Sequence, residues 1–183
     1  MKIAILAGSN RKDATSTQLA RYIGKLLEAE GSAVRLFDCF ETPLPFYDPD
    51  AESTDHPALE ELKRTVFEAD GVVLATPEYH GSMSGVLKNA LDHLGYSQFD
   101  SKPVLAVASA GGPVGVSSLN HIQTVVRNLH GINCPEWISI GGDQRSFGPD
   151  GEPAHGGTRD RVQKATAYFT AMVRQTEALR SNK

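Results

Sequence analysis

Three polar stretches of this chain hold residue types that can grip an anion and a flat ring, and each follows a short apolar run. The first, Gly8-Ser9-Asn10-Arg11-Lys12-Asp13-Ala14-Thr15-Ser16-Thr17, gathers four hydroxyls (Ser9, Thr15, Ser16, Thr17) and the Arg11 guanidinium just ahead of a helical pattern. Such a set suits a phosphate dianion, because a helix start offers free N–H groups and a positive dipole end while Arg pairs bidentately. The same residue types also build an ordinary solvated turn with a capping serine, so the loop alone leaves both readings open. Its spelling excludes two relatives of that chemistry. There is no second and third glycine for a dinucleotide fingerprint, and no Gly-Lys-Ser/Thr for a triphosphate loop.

The second stretch is Thr76-Pro77-Glu78-Tyr79-His80-Gly81-Ser82-Met83-Ser84-Gly85, read as a strand-to-helix turn. Pro77 cannot donate to a sheet ladder and Gly81 relieves the backbone, so peptide N–H groups and the Tyr79 ring should be exposed there. An aromatic beside backbone donors suits a planar heterocycle with carbonyl and imide groups. The blander alternative is that Glu78 is only a surface carboxylate and Tyr79 only a packing ring. The third stretch, Ser109-Ala110-Gly111-Gly112-Pro113-Val114-Gly115, is a glycine turn that lets backbone approach a ligand closely.

The surrounding pattern says what must hold these stretches. Apolar runs at 2–7, 71–76 and 103–108 do not alternate, as expected of strands buried on both faces of a parallel sheet. Residues 34–38 alternate and read as a strand nearer the sheet edge, and residues 134–140 read as a fifth strand. Helical spacing follows the first run, with Ser16 as its N-cap, and recurs at about 57–69, 84–95, 116–129 and 158–179. Five alternations predict one doubly wound α/β domain over residues 1–183, with a five-stranded parallel sheet in the order 2-1-3-4-5 and helices on both faces. In that order the first two polar stretches meet at the switch-point crevice. Residues 39–56, with Pro43, Pro45 and Pro49 around Phe46 and Tyr47, read as an irregular loop that shapes a site or an interface.

Composition narrows the partners. A 183-residue chain with 40% hydrophobic content can build a sizeable core. Lys and Arg number 18 against 22 Asp and Glu, a balance too mild and mixed for a nucleic-acid surface. Cys39 and Cys134 stand outside any metal-ligand spacing and read as reduced, structural thiols of a cytoplasmic protein. The apolar start is five residues long before Gly8, too short for a secretion signal or a membrane span. Of the histidines only His80 draws attention, because of its loop; the others read as surface or capping groups. Met83, Met172 and Trp137 read as packing, and residues 174–183 as a helix end that frays.

Taken together, Gly8-Ser9-Asn10-Arg11, Pro77-Glu78-Tyr79-His80 and Gly85-Val86-Leu87-Lys88-Asn89-Ala90-Leu91-Asp92 resemble the NADPH-dependent FMN reductase family, near its azobenzene and quinone reductase members. The similarity extends over nearly the whole chain. It implies a flavodoxin-like fold, noncovalent FMN, NADPH or NADH as electron donor, and a homodimer or homotetramer whose active site a second subunit completes. By position it puts Ser9, Arg11, Ser16 and Thr17 at the FMN phosphate. Pro77, Glu78, Tyr79, His80 and Gly81, with Ser109, Ala110, Gly111 and Gly112, would contact the isoalloxazine. Many members carry a serine where this chain has Ala14 and an asparagine where it has Ser16, and Thr15, Ser16 and Thr17 offer replacement hydroxyls. The chemistry implied takes place at FMN N5, with no side chain as nucleophile.

The implied activity is reduction of small acceptors such as quinones, azo compounds, free flavin or metal oxyanions. A flavodoxin-like carrier passing electrons between proteins is the alternative, and the mild charge disfavours it because carriers rely on a one-signed docking face. A phosphoacceptor domain ranks lower. It needs carboxylates where this chain has Ala7-Gly8 and Thr76-Pro77.

Overall fold

The computed structural model describes residues 1–50 and 55–181. Residues 51–54 of the expected loop and residues 182–183 of the expected tail lie outside the described residues. Strand β1 (Lys2–Ala7) leads into helix α1 (Thr15–Ala29), and β2 (Ala33–Asp38) into α2 (Pro57–Phe67). Next come β3 (Gly71–Tyr79), β4 (Ser82–Met83), α3 (Gly85–Asp92), α4 (Tyr96–Phe99) and β5 (Pro103–Ala110). The chain continues through α5 (Val116–Asn128), β6 (Ile132–Asn133), β7 (Ile138–Gly141), a 3-10 turn (Gly142–Arg145), α6 (Gly156–Gln175) and α7 (Glu177–Ser181).

The sheet runs β2-β1-β3-β5-β6, all parallel, with β7 also on β5. The winding expected from the alternating pattern is therefore present. Its strand count is seven rather than five. Two local effects account for the difference. The expected fifth strand is split: Cys134 still donates from its backbone to Val104 at 2.9 Å, but Pro135 has no N–H to continue the ladder, which resumes at Ile138. And β3 does not end at Thr76. It runs on to Tyr79 and pairs antiparallel with β4 (Glu78 with Met83, Tyr79 with Ser82), so the expected strand-to-helix turn is a β-hairpin.

Side chains along the central strands alternate between two cores. Val72 and Leu74 join Leu62, Leu87, Leu119 and Ile122 on one face. Val73 and Ala75 join Leu19, Ile23, Val162 and Phe169 on the other. Trp137 and Met172 pack against these cores, as their sequence context predicts. Cys39 and Cys134 are buried free thiols. Residues 39–50 are irregular, in keeping with their prolines.

Candidate functional site

The ladder brings the three polar stretches to one edge. Ala7 pairs with Ala75, and Pro77 with Ser109, so β1, β3 and β5 release their following segments side by side at their carboxyl ends. The Gly8 N–H extends the β1–β3 ladder onto the Ala75 carbonyl at 2.8 Å. A Cβ on Gly8 would collide with Leu87 Cβ and lie 3.0 Å from its Cα, so only glycine lets α3 pack this closely under the first loop.

In the first loop, Ser9 is fully buried and its Oγ accepts from the Arg11 N–H at 3.2 Å. Arg11 itself is exposed. Helix α1 begins earlier than expected: Ala14, not Ser16, occupies the N-cap position, and no side chain caps the helix. The Ser16 and Thr17 hydroxyls lie within the first turn, 1% and 2% exposed, and neither has a hydrogen-bond partner. A helix start without a cap leaves N–H donors open, and two buried hydroxyls beside it are costly unless something accepts or donates there. A phosphate group meets both needs, so these residues fit the phosphate of FMN.

In the second segment Pro77 is buried, Glu78 half-buried, and Tyr79 and His80 exposed at the tip of the hairpin. His80 (φ 52°) and Gly81 (φ 73°) are both left-handed, which makes the two-residue type I′ turn that matches strand twist. The Glu78 carboxylate is held by Ser118 on α5, accepting from its N–H at 3.1 Å and its hydroxyl at 2.8 Å. In the third segment, Ser109 and Ala110 are still strand and buried, while Gly111 and Gly112 form an exposed turn. A Cβ at Gly111 or Gly112 would meet nothing within 4 Å, so the protein leaves open space beside this backbone, room that a ring could use. The turn is backed by Gly141, where a Cβ would strike the Gly112 and Pro113 carbonyl oxygens.

Between the first and second segments opens a cleft of about 460 Å³, lined among others by Asn10, Leu44, Phe46, Tyr79 and Asn89. The proline loop forms its outer wall. Asn89 holds that loop at both ends of its amide, accepting from Tyr47 N–H at 2.9 Å and donating to the Pro45 carbonyl at 2.9 Å. His93 Nε2 lies 3.0 Å from the same carbonyl. Phe46 beside them is 92% exposed.

Several residues that organise the site escaped sequence reasoning. Ser84 is the chief one: its Oγ donates to the Gly8 carbonyl and accepts from Leu87 N–H, while its own N–H donates to Thr76 Oγ1. A serine one residue before a helical run is a capping signal, which marks half of this role. Asn89 lies inside the Gly85-to-Asp92 motif but carries no local sign of its reach to residues 45 and 47.

This geometry has counterparts. The chain is 36% identical over 171 residues to an NADPH azoreductase of Bacillus sp. (strain OY1-2), with 93% of each chain covered. It is 37% identical over 146 residues to an FMN-dependent NADPH-azoreductase of Staphylococcus aureus (strain USA300), with 76% of each covered. Among solved structures, the flavoenzyme FerB, an NAD(P)H:(acceptor) oxidoreductase from Paracoccus denitrificans, superposes with a TM-score of 0.81 at 22% identity. That match covers 96% of this chain and 98% of FerB, and it shows the shared flavodoxin-like fold. The family model described as NADPH-dependent FMN reductase matches residues 1–145, which span all three polar segments at this sheet edge, and the chain belongs to that family.

Proposed function

We propose that this chain is an FMN-dependent NAD(P)H oxidoreductase that reduces small acceptors, with quinones and azo compounds as the leading class. The observation that carries the reading is the uncapped start of α1, where the buried Ser16 and Thr17 hydroxyls have no partner, at the same sheet edge as Tyr79 and the Gly111 turn. Ser9, Arg11, Ser16 and Thr17 would hold the phosphate, and the segments 77–81 and 109–112 the ring. When bound there, FMN would supply the redox chemistry between the nicotinamide donor and the small acceptor, with the acceptor's remaining proton coming from solvent.

The protein's own share is orientation and electrostatics. Donors of the α1 start neutralise phosphate charge, the hairpin and the glycine turn fix the ring between backbone groups, and the proline loop screens one side from water. No side chain has to act as nucleophile. Family membership and azoreductase relatives covering most of the chain support the redox class.

We also propose a homodimer or homotetramer located in the cytoplasm. Two buried free thiols support a reducing compartment, and among the described residues no helix is long and apolar enough to cross a membrane. The exposed Phe46 ring at the cleft mouth supports a second subunit closing the site. Sedimentation at micromolar concentration tests the assembly, and a monomeric mass would remove it. For the activity, the purified protein is loaded with FMN and mixed with NADPH and a quinone. Steady NADPH oxidation without any partner protein is expected; bleaching of the flavin with no turnover until a partner protein is added would indicate a carrier instead.

A further inference from the structure

Helix α5 starts without a cap of its own. Gly115 at its N-cap position has no side chain, and its N–H is taken by Ser139 Oγ at 2.7 Å. The group that an N-cap side chain normally serves is the N–H of the third helical residue, here Ser118. That N–H is served instead by Glu78, from 40 residues earlier in the chain. The same carboxylate oxygen takes the Ser118 hydroxyl, and Ser118 is fully buried. A Cβ at Gly115 would lie 3.3 Å from that oxygen, so glycine leaves the carboxylate room to approach the helix end. A negative charge at a helix N-terminus is favourable, and a carboxylate accepting two donors makes a strong tie.

The placement of this tie matters. Glu78 immediately precedes Tyr79, and Gly115 closes the turn that contains Gly111 and Gly112. One carboxylate therefore joins the hairpin to the glycine turn, the two segments assigned above to the ring. A second contact, Ser82 Oγ to His121 Nδ1 at 2.9 Å, holds the returning strand of the hairpin to the same helix. With Glu78 removed, the hairpin would lose its tie to the start of α5, keeping the outer, exposed contact to His121, the Met83 packing and the Pro77–Ser109 pairing at its base, so its tip could shift against the glycine turn.

We propose that Glu78 is a positioning residue for the flavin reaction: by capping α5 from the hairpin, it fixes the Tyr79 segment against the glycine turn. The proposal rests on the oxidoreductase reading for its catalytic consequence, but not for its structural one. A ring held between two segments reacts well only if their spacing is held, since misplacement by about 1 Å can cost as much as about a hundredfold in rate.

The test compares Glu78→Ala and Glu78→Gln with the unaltered protein. Glutamine keeps an oxygen that can accept from Ser118, whereas alanine removes it. In the protein loaded with FMN, Glu78→Ala should lower kcat by about tenfold with KM for NADPH little changed, and should alter the visible circular dichroism of the flavin. Glu78→Gln should restore most of both. Without flavin, amide hydrogen exchange at Ser118, Tyr79 and the glycine turn should quicken in Glu78→Ala and return towards the unaltered rate in Glu78→Gln. Unchanged exchange in Glu78→Ala, or a glutamine variant as impaired as alanine, overturns the proposal. Should the unaltered protein fail to oxidise NADPH while the exchange results hold, the oxidoreductase reading falls and the tie between hairpin and turn stands.

Discussion

The Ser84 hydroxyl donates to the Gly8 carbonyl at 2.5 Å, across 76 residues of sequence. Gly8 leaves β1 and Ser84 opens α3, so this bond joins the first polar loop to the hairpin through the floor of the cleft, the two segments proposed to hold the phosphate and the ring. Ser84 also caps α3 by accepting from Leu87 N–H at 3.0 Å. Replacing it with alanine removes a cap and strands a buried carbonyl, and the two losses fall on one residue. Ser84→Ala should destabilise the fold by about 1–3 kcal/mol and weaken FMN binding together. Urea unfolding and an FMN titration check it; lost affinity at unchanged stability would mean that Ser84 acts on the ligand directly instead of on the floor.

Ser16 and Thr17 make the opposite expectation. Their hydroxyls are buried without partners, so removing them should not harm the empty protein and should raise its stability by up to about 1 kcal/mol. With FMN present they should matter: Ser16→Ala and Thr17→Val should each weaken FMN about tenfold or more, because a hydrogen bond to a charged group contributes about 1.5–3 kcal/mol. Riboflavin, which has the ring but no phosphate, should bind all three proteins alike. Equal losses for riboflavin and FMN would move these hydroxyls away from the phosphate.

The positions where sequence and structure diverge are instructive. Ser16 is the natural capping residue by type, yet the helix begins at Thr15 behind an alanine that cannot cap. Local preference fails there because the protein does not satisfy that helix end by itself, as expected of a place reserved for a ligand. Pro77 reads as a breaker, and the hairpin was hidden behind it. The Ala75 carbonyl faces β1 and takes the Gly8 N–H; Pro77, two residues on, presents the same side just where β1 has ended, so its missing N–H faces no strand. The strands at 2–7 and 103–108, by contrast, were readable because burial on both faces leaves an unbroken apolar run. What no local pattern could carry are contacts between distant polar residues, such as Asn89 with Tyr47 and Glu78 with Ser118.

Lys102 gives the fold a pH dependence of defined sign. Its Nζ donates to the carbonyls of Val66 and Phe67 at the end of α2, each at 2.7 Å. Burial pushes it down from 10.5 to about 8, against the pull of Asp70 and with help from Arg180. Between those pH values the unfolded chain holds a proton that the folded chain has released, so unfolding takes up a proton and stability from this residue rises with pH. Cys39 works the other way, since burial and then Asp38 push its thiol up to about 12 and folding is penalised once the unfolded thiol ionises above 9.0. The Lys102 share is isolated by comparing the unaltered protein with Lys102→Met in urea at about pH 7.5 and about pH 9.5. The unaltered protein should gain relative to the variant at the higher pH, and a relative loss would contradict the burial account.

The hairpin turn allows a test that separates backbone from contacts. Gly81 has φ 73°, and a Cβ there would meet nothing within 4 Å, so any cost of a side chain comes from the left-handed backbone alone. Alanine in that region costs about 1–2 kcal/mol, whereas asparagine tolerates it better because its short polar side chain bonds locally. The hairpin pairs through only Glu78 with Met83 and Tyr79 with Ser82, so such a cost should open it locally and leave the sheet beneath intact. Gly81→Ala should therefore keep the melting temperature within a few degrees of the unaltered protein while weakening FMN by about tenfold, because ring-side affinity is lost in proportion to the closed hairpin population. Gly81→Asn should bind FMN nearly normally. If the two variants bind FMN alike, the left-handed turn is not what presents Tyr79; if both lower the melting temperature steeply, the hairpin is part of the cooperative core and its closure cannot be tuned separately from folding.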